Sequence, residues 1–101
     1  MSGGKGDDFL NGGSGNDLIA GGKNADIFKI SKGIDTVTDF SLEQGDRIAI
    51  DADKFDQLEI DDSVSGALLS VSGLGQMVVI GISATTMEEN FEEIFVKYIP
   101  K

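Results

Sequence analysis

The chain has 101 residues, with 18 Asp and Glu against 8 Lys and Arg, no His, no Cys, and a net charge of −10. That length makes one small domain with a modest core, the acidic balance argues against nucleic acid and anionic membrane surfaces as partners, and the missing Cys leaves no disulfide framework. No apolar run is long enough to span a bilayer, so membrane insertion is not expected, and Met1-Ser2-Gly3 carries no signal-peptide pattern.

Residues 3–29 are one nine-residue unit written three times without a gap: Gly-Gly-Lys-Gly-Asp-Asp-Phe-Leu-Asn, Gly-Gly-Ser-Gly-Asn-Asp-Leu-Ile-Ala, Gly-Gly-Lys-Asn-Ala-Asp-Ile-Phe-Lys. Each copy opens on two glycines, has Asp at its sixth position (Asp8, Asp17, Asp26), and has a large apolar residue at its eighth (Leu10, Ile19, Phe28). Paired glycines reach positive φ without a Cβ penalty, so the first six residues turn tightly and aim carbonyl oxygens inward beside the Asp carboxylate. The last three residues suffice for a very short strand, which cannot stand alone and must stack. Two units make one flattened coil, so each turn lies on the turn two units away. A pocket of carbonyls and two aspartates between stacked turns repels itself unless a cation fills it. An all-oxygen site suits calcium; magnesium fits less well, and zinc, copper and iron are disfavoured without His or Cys.

This unit, Gly-Gly-x-Gly-x-Asp-x-apolar-x, resembles the RTX (hemolysin-type) calcium-binding repeat. The resemblance is specific over residues 3–29 and looser over 30–50. Asn24 replaces the fourth-position glycine in the third unit, where Gly6 and Gly15 stand in the others, and Asn tolerates the left-handed conformation best among non-glycine residues. The resemblance implies a mainly β fold: a right-handed parallel β-roll (β-solenoid) of short calcium-bound coils. It also implies a secreted, extracellular protein exported by type I secretion machinery. Because the chain opens inside a repeat, further repeats or a passenger domain upstream in a longer parent are expected.

Residues 30–38, Ile-Ser-Lys-Gly-Ile-Asp-Thr-Val-Thr, hold the phase without the glycine pair: Gly33 is fourth, Asp35 sixth and Val37 eighth. They read as a degenerate fourth unit, so the repeats form residues 1–38 and a capping region forms 39–101. With the family's alternation of carbonyl positions, the resemblance implies about two calcium ions. One would take the carbonyls of Gly3, Lys5, Gly22 and Asn24 with the carboxylates of Asp8 and Asp26; the other would take the carbonyls of Gly12, Ser14, Ser31 and Gly33 with Asp17 and Asp35. A third, weaker site could use the Gly21 and Lys23 carbonyls with Asp39 or Asp46, which otherwise serve as turn-formers.

Residues 39–50 break the phase: Asp39-Phe40, a Gly45-Asp46 turn, then Ile48 and Ile50 continuing the inner face. The acidic run from Asp51 to Asp62 is not an EF-hand loop, since Asp56 stands where Gly is required; a solvated loop with a short strand near Leu58–Ile60 is expected. Residues 67–72 and 76–80 flank Gly73-Leu74-Gly75 as a β-hairpin, the candidate to close the solenoid's open end. A short helix capped by Thr85 or Thr86 should run to about Glu93, with Glu88 and Glu89 in its first turn, Phe91 and Ile94 facing the core, and a last strand from Phe95 to Ile99 ended by Pro100. Glu93-Ile94-Phe95-Val96 weakly resembles the family's C-terminal export signal.

No His, no Cys and no nucleophile elbow speak for catalysis, and the regularly spaced aspartates are committed to metal, so the chain is not expected to be an enzyme. The favoured reading is a calcium-driven folding module; the alternatives are a calcium-dependent adhesion or carbohydrate-binding module, or a structural adapter to an upstream enzyme domain.

Overall fold

The computed structural model describes residues 9–11, 15–22 and 25–99. Very short strands come first: β1 (Phe9–Asn11), β2 (Leu18–Ile19), β3 (Ile27–Lys29) and β4 (Ile34–Val37). After them come β5 (Arg47–Asp51), a 3-10 helix (Ala52–Gln57), β6 (Leu58–Asp62), β7 (Gly66–Val71), β8 (Gly75–Ile80), the helices α1 (Ala84–Glu89) and α2 (Phe91–Ile94), and β9 (Phe95–Tyr98). No helix among the described residues is long and apolar enough to cross a membrane.

The repeat strands alternate between two sheets, ordered β1-β3-β5-β9 and β2-β4-β8-β7-β6. Every pairing among β1, β3, β5 and β9, and those of β2 with β4 and β4 with β8, are parallel; among the described residues only β6–β7 and β7–β8 are antiparallel. Phe9 lies beside Ile27 and Leu18 beside Thr36, so a residue meets the one eighteen positions on. That is the stacking two nine-residue units require, since one unit alone carries the chain only to the opposite sheet.

The eighth residue of each unit makes the core. Leu10, Phe28, Ile48 and Phe95 align across one sheet, and Ile19, Val37, Val79 and Ala67 across the other, all buried in a single apolar cluster. Each large member contributes roughly 1.5–3 kcal/mol by leaving water. The seventh residues point outward, with Phe9 and Leu18 exposed. Lys29, at a ninth position, is nevertheless buried: its Nζ lies 2.9 Å from Asp51 Oδ1, donates to Ile30 O at 2.6 Å, and sits 5.2 Å from the Tyr98 ring centre. Tyr98 in turn stacks against Phe9 at 5.6 Å, tying the last strand to the first.

Several elements differ from the sequence expectation. The acidic run holds a 3-10 helix before β6 rather than an open loop. The hairpin loop is Ser72–Leu74, with Gly73 at φ +80° and Leu74 N donating to Val71 O at 3.0 Å, so Gly75 already pairs with Val71 as the first residue of β8. The helix is capped two to three residues earlier than expected and breaks. Ser83, extended at φ −88° and ψ 160°, caps it by accepting from Thr86 N at 3.2 Å. Asn90 then ends α1, its Nδ2 donating to Thr86 O at 2.9 Å. Glu88 and Glu89 consequently fall in the final turn of α1, and Glu92 and Glu93 occupy the first turn of α2. The repeats are also flanked by two elements, not the hairpin alone: β8 extends one parallel ladder and β9 the other.

Candidate metal centre

The turns that precede β2 and β4 come face to face. Gly15 and Gly33, the fourth residues of their units, have φ of +93° and +92°. A Cβ on Gly33 would lie 2.2 Å from Gly15 O, so the approach is open only to glycine and the Gly15 carbonyl is aimed at the fourth turn. Asn16 Oδ1 accepts from Ile34 N at 2.9 Å, and Asp17 O accepts from Thr36 N at 2.8 Å, which locks the two turns in register.

Asp17 and Asp35, the sixth residues, meet there. Asp35 Oδ1 accepts from Asp17 N at 3.3 Å, and Asp35 Oδ2 from Ser31 Oγ at 3.1 Å. Burial is the main cause that pushes the Asp35 carboxyl above its ordinary 3.8; hydrogen bonds from Ser31 and Asp17 oppose this, and the neighbouring Asp17 charge adds to it. Asp17 Oδ2 is buried with no hydrogen-bond partner. A solvent-excluded carboxylate oxygen of that kind is costly unless something positive meets it. Two carboxylates, one of them with an orphaned oxygen, and the Gly15 carbonyl form a hard, all-oxygen donor set, and these residues fit a calcium ion. Among the described residues, no three acidic side chains gather into a metal-binding group.

The third and fifth turns are closed differently. Asp39 accepts from Gly21 N at 2.9 Å and Gly22 N at 2.8 Å, one bond on each oxygen. Asp46 accepts from Asp26 N and Ser41 N, both at 2.9 Å. Burial raises the Asp46 carboxyl above 3.8, with Asp39's charge a smaller contribution and the two backbone bonds opposing. Asp39 and Asp46 thus hold turn amides. Gly21 has its own reason to be glycine: a Cβ there would lie 2.5 Å from Asp26 Oδ2 and 2.8 Å from Phe28 Cζ. The unit's first glycine makes room for its own Asp.

Of the residues expected to bind metal, Gly3, Lys5, Asp8, Gly12, Ser14, Lys23 and Asn24 lie outside the described residues. Gly22 and Asp26 are the two described residues of the six in the first expected site, and Asp26 is fully buried. Asp17, Asp35, Ser31 and Gly33 are brought together around the second. Gly33 O, however, accepts from Gln76 N at 2.9 Å, and a Cβ on Gly75 would lie 2.0 Å from Ser31 O, so β8 engages the Gly33 carbonyl and closely approaches that of Ser31. The Ser31 hydroxyl and the Gly15 carbonyl are the contributions that spacing did not single out. Ser31 is separated from its neighbour Gly75 by 44 positions in the chain, and which way a glycine carbonyl turns is not encoded locally.

Residues 1–37 match the family model of the RTX calcium-binding nonapeptide repeat, in four copies. No curated protein and no solved structure matches the chain significantly. The matched repeats imply calcium binding, in agreement with the Asp17–Asp35 donor set, and over those residues the chain is an RTX-type calcium-binding repeat module.

Proposed function

We propose that the chain is a calcium-driven folding module, non-catalytic itself, in which ions between stacked turns close a right-handed β-roll. The observation that carries this reading is the pair Asp17 and Asp35: two inward carboxylates, one with a buried oxygen that has no hydrogen-bond partner, between facing glycine turns. Without an ion, their repulsion and desolvation oppose stacking; with one, binding free energy becomes folding free energy. About two ions are assigned, one with Asp8 and Asp26 and one with Asp17 and Asp35, and Asp39 and Asp46 are the candidates for a third.

Such a module suits a protein exported by type I secretion: the acidic repeats stay unfolded where calcium is scarce and order outside the cell, carrying an upstream passenger domain with them. Extracellular calcium modules work at roughly 10⁻⁴–10⁻³ M, which matches that environment. Far-UV circular dichroism with and without millimolar calcium tests the switch. A gain of β signal on adding calcium, absent with magnesium, supports it; identical spectra after exhaustive chelation overturn it.

A further inference from the structure

We propose that Ser31 is a positioning residue for the calcium site between the second and fourth turns, held by the hairpin through its carbonyl and holding Asp35 through its hydroxyl. The inference rests on the calcium reading above and adds to it a mechanical link from the cap to the site.

The link is continuous. Gly75, the first residue of β8, lies so close to the fourth turn that a Cβ would stand 2.0 Å from Ser31 O and 2.9 Å from Gly33 O. The next residue donates its amide to the same turn, Gln76 N to Gly33 O at 2.9 Å. The Gly33 bond and the close approach of Gly75 leave the Ser31 carbonyl little room to move. Its side chain then reaches across the turn to Asp35 Oδ2 at 3.1 Å, in a buried position. Asp35 Oδ1 is held separately by the Asp17 amide, so each oxygen of this carboxylate has its own donor and the group is pinned in orientation.

A pinned carboxylate loses less freedom when an ion binds, and partners that orient a ligand in this way commonly tune metal affinity by 10–100-fold. The effect is reciprocal, because coupling free energy acts in both directions. An ion that holds Asp35 also holds Ser31, and through it the seat of Gly75 and Gln76. Calcium at the repeats therefore tightens the hairpin docked behind them. The degenerate fourth unit gains a physical role: Ser31 stands where the other units have their second glycine, and it supplies the hydroxyl that a glycine lacks.

The test is calorimetric titration of the full chain with calcium chloride, for the wild type, Ser31→Ala and Ser31→Thr, with amide hydrogen exchange at Gln76 measured with and without calcium. Ser31→Ala should weaken one binding step by about 10–100-fold and leave the others unchanged. Ser31→Thr, which keeps the hydroxyl, should restore it. Calcium should slow exchange at Gln76 in the wild type and much less in Ser31→Ala. A Ser31→Ala chain that titrates like the wild type, or one in which all steps weaken together, overturns this inference alone. A wild-type chain that takes up no calcium overturns the calcium reading and this inference with it.

Discussion

The amide of Asp17 donates to the carboxylate of Asp35 at 3.3 Å, eighteen residues along the chain. The same bond recurs on the other sheet between the Asp26 amide and Asp46, at 2.9 Å but twenty residues apart. The two added residues lie in the Ser41–Gly45 turn, where Gly45 N donates to Leu42 O and Asp46 N to Ser41 O. The nine-residue phase therefore breaks without ending the stack: the longer turn delivers Asp46 and Ile48 to the places a shorter one would have delivered their counterparts.

If Asp17 and Asp35 share an ion, Asp17→Ala should remove one calcium and leave the other. Truncating one partner of a buried charged contact costs roughly 2–5 kcal/mol, enough to take the site out of the millimolar range. Titration calorimetry reads this as a lost binding step. Unchanged stoichiometry would reassign the site.

Gly15 and Gly33 have nearly equal positive φ but different surroundings, which separates backbone strain from contact. Gly15→Ala meets no atom within 4 Å and should cost only about 1 kcal/mol, whereas Gly33→Ala places a Cβ 2.2 Å from Gly15 O. The second should cost roughly 2–4 kcal/mol. Urea denaturation in saturating calcium compares them; equal losses would show that the turns do not meet at Gly33.

Lys29 and Asp51 form a pair whose side chains are 6% and 25% exposed. Lys29→Met removes the cation but leaves Asp51 and the Ile30 carbonyl behind, and should destabilise by about 2–4 kcal/mol. Adding Asp51→Leu should recover most of that loss, since an apolar pair of similar volume avoids the desolvation cost. A double variant no more stable than Lys29→Met would mean that the Lys29 contact with Tyr98, and not the ion pair, holds β9 in place.

Acidification should stabilise the calcium-free fold. Burial raises the Asp35 and Asp46 carboxyls above 3.8, so the folded state holds more protons than the unfolded chain between that value and their folded values. Their contribution is fully present below 3.8 and is lost as pH rises through the raised values. In chelator, the β signal in far-UV circular dichroism should therefore increase as pH is lowered from neutral toward that window. Calcium should flatten or reverse the trend, because an ion favours the ionised carboxylates. A chelated protein that only loses stability on acidification would contradict it.

The repeat half of the fold was legible because its physics is local. Glycine at positive φ, an Asp beside it and an apolar residue two positions further on are set within nine residues, and the eighteen-residue register follows once two units make a coil. The inward rows Leu10–Phe28–Ile48 and Ile19–Val37 were available on that basis. The cap was legible only as elements: the hairpin and final strand are visible in alternation and glycine placement, and the helix was misplaced at both ends because Ser83 and Asn90 compete with Thr85, Thr86 and Glu93 as stop and start signals.

Periodicity alone dictated that turns of glycine and aspartate stack in parallel, and chemistry alone dictated that the space between them suits a hard cation. Which way each carbonyl faces was decided elsewhere. Gly33 O turns to Gln76 and Ser31 O to Gly75, and Asp39 and Asp46 take turn amides, because segments from 17 to 44 residues away arrive beside them. A peptide group can satisfy its oxygen on either side at similar cost, so the choice belongs to whichever neighbour the assembled chain brings within reach.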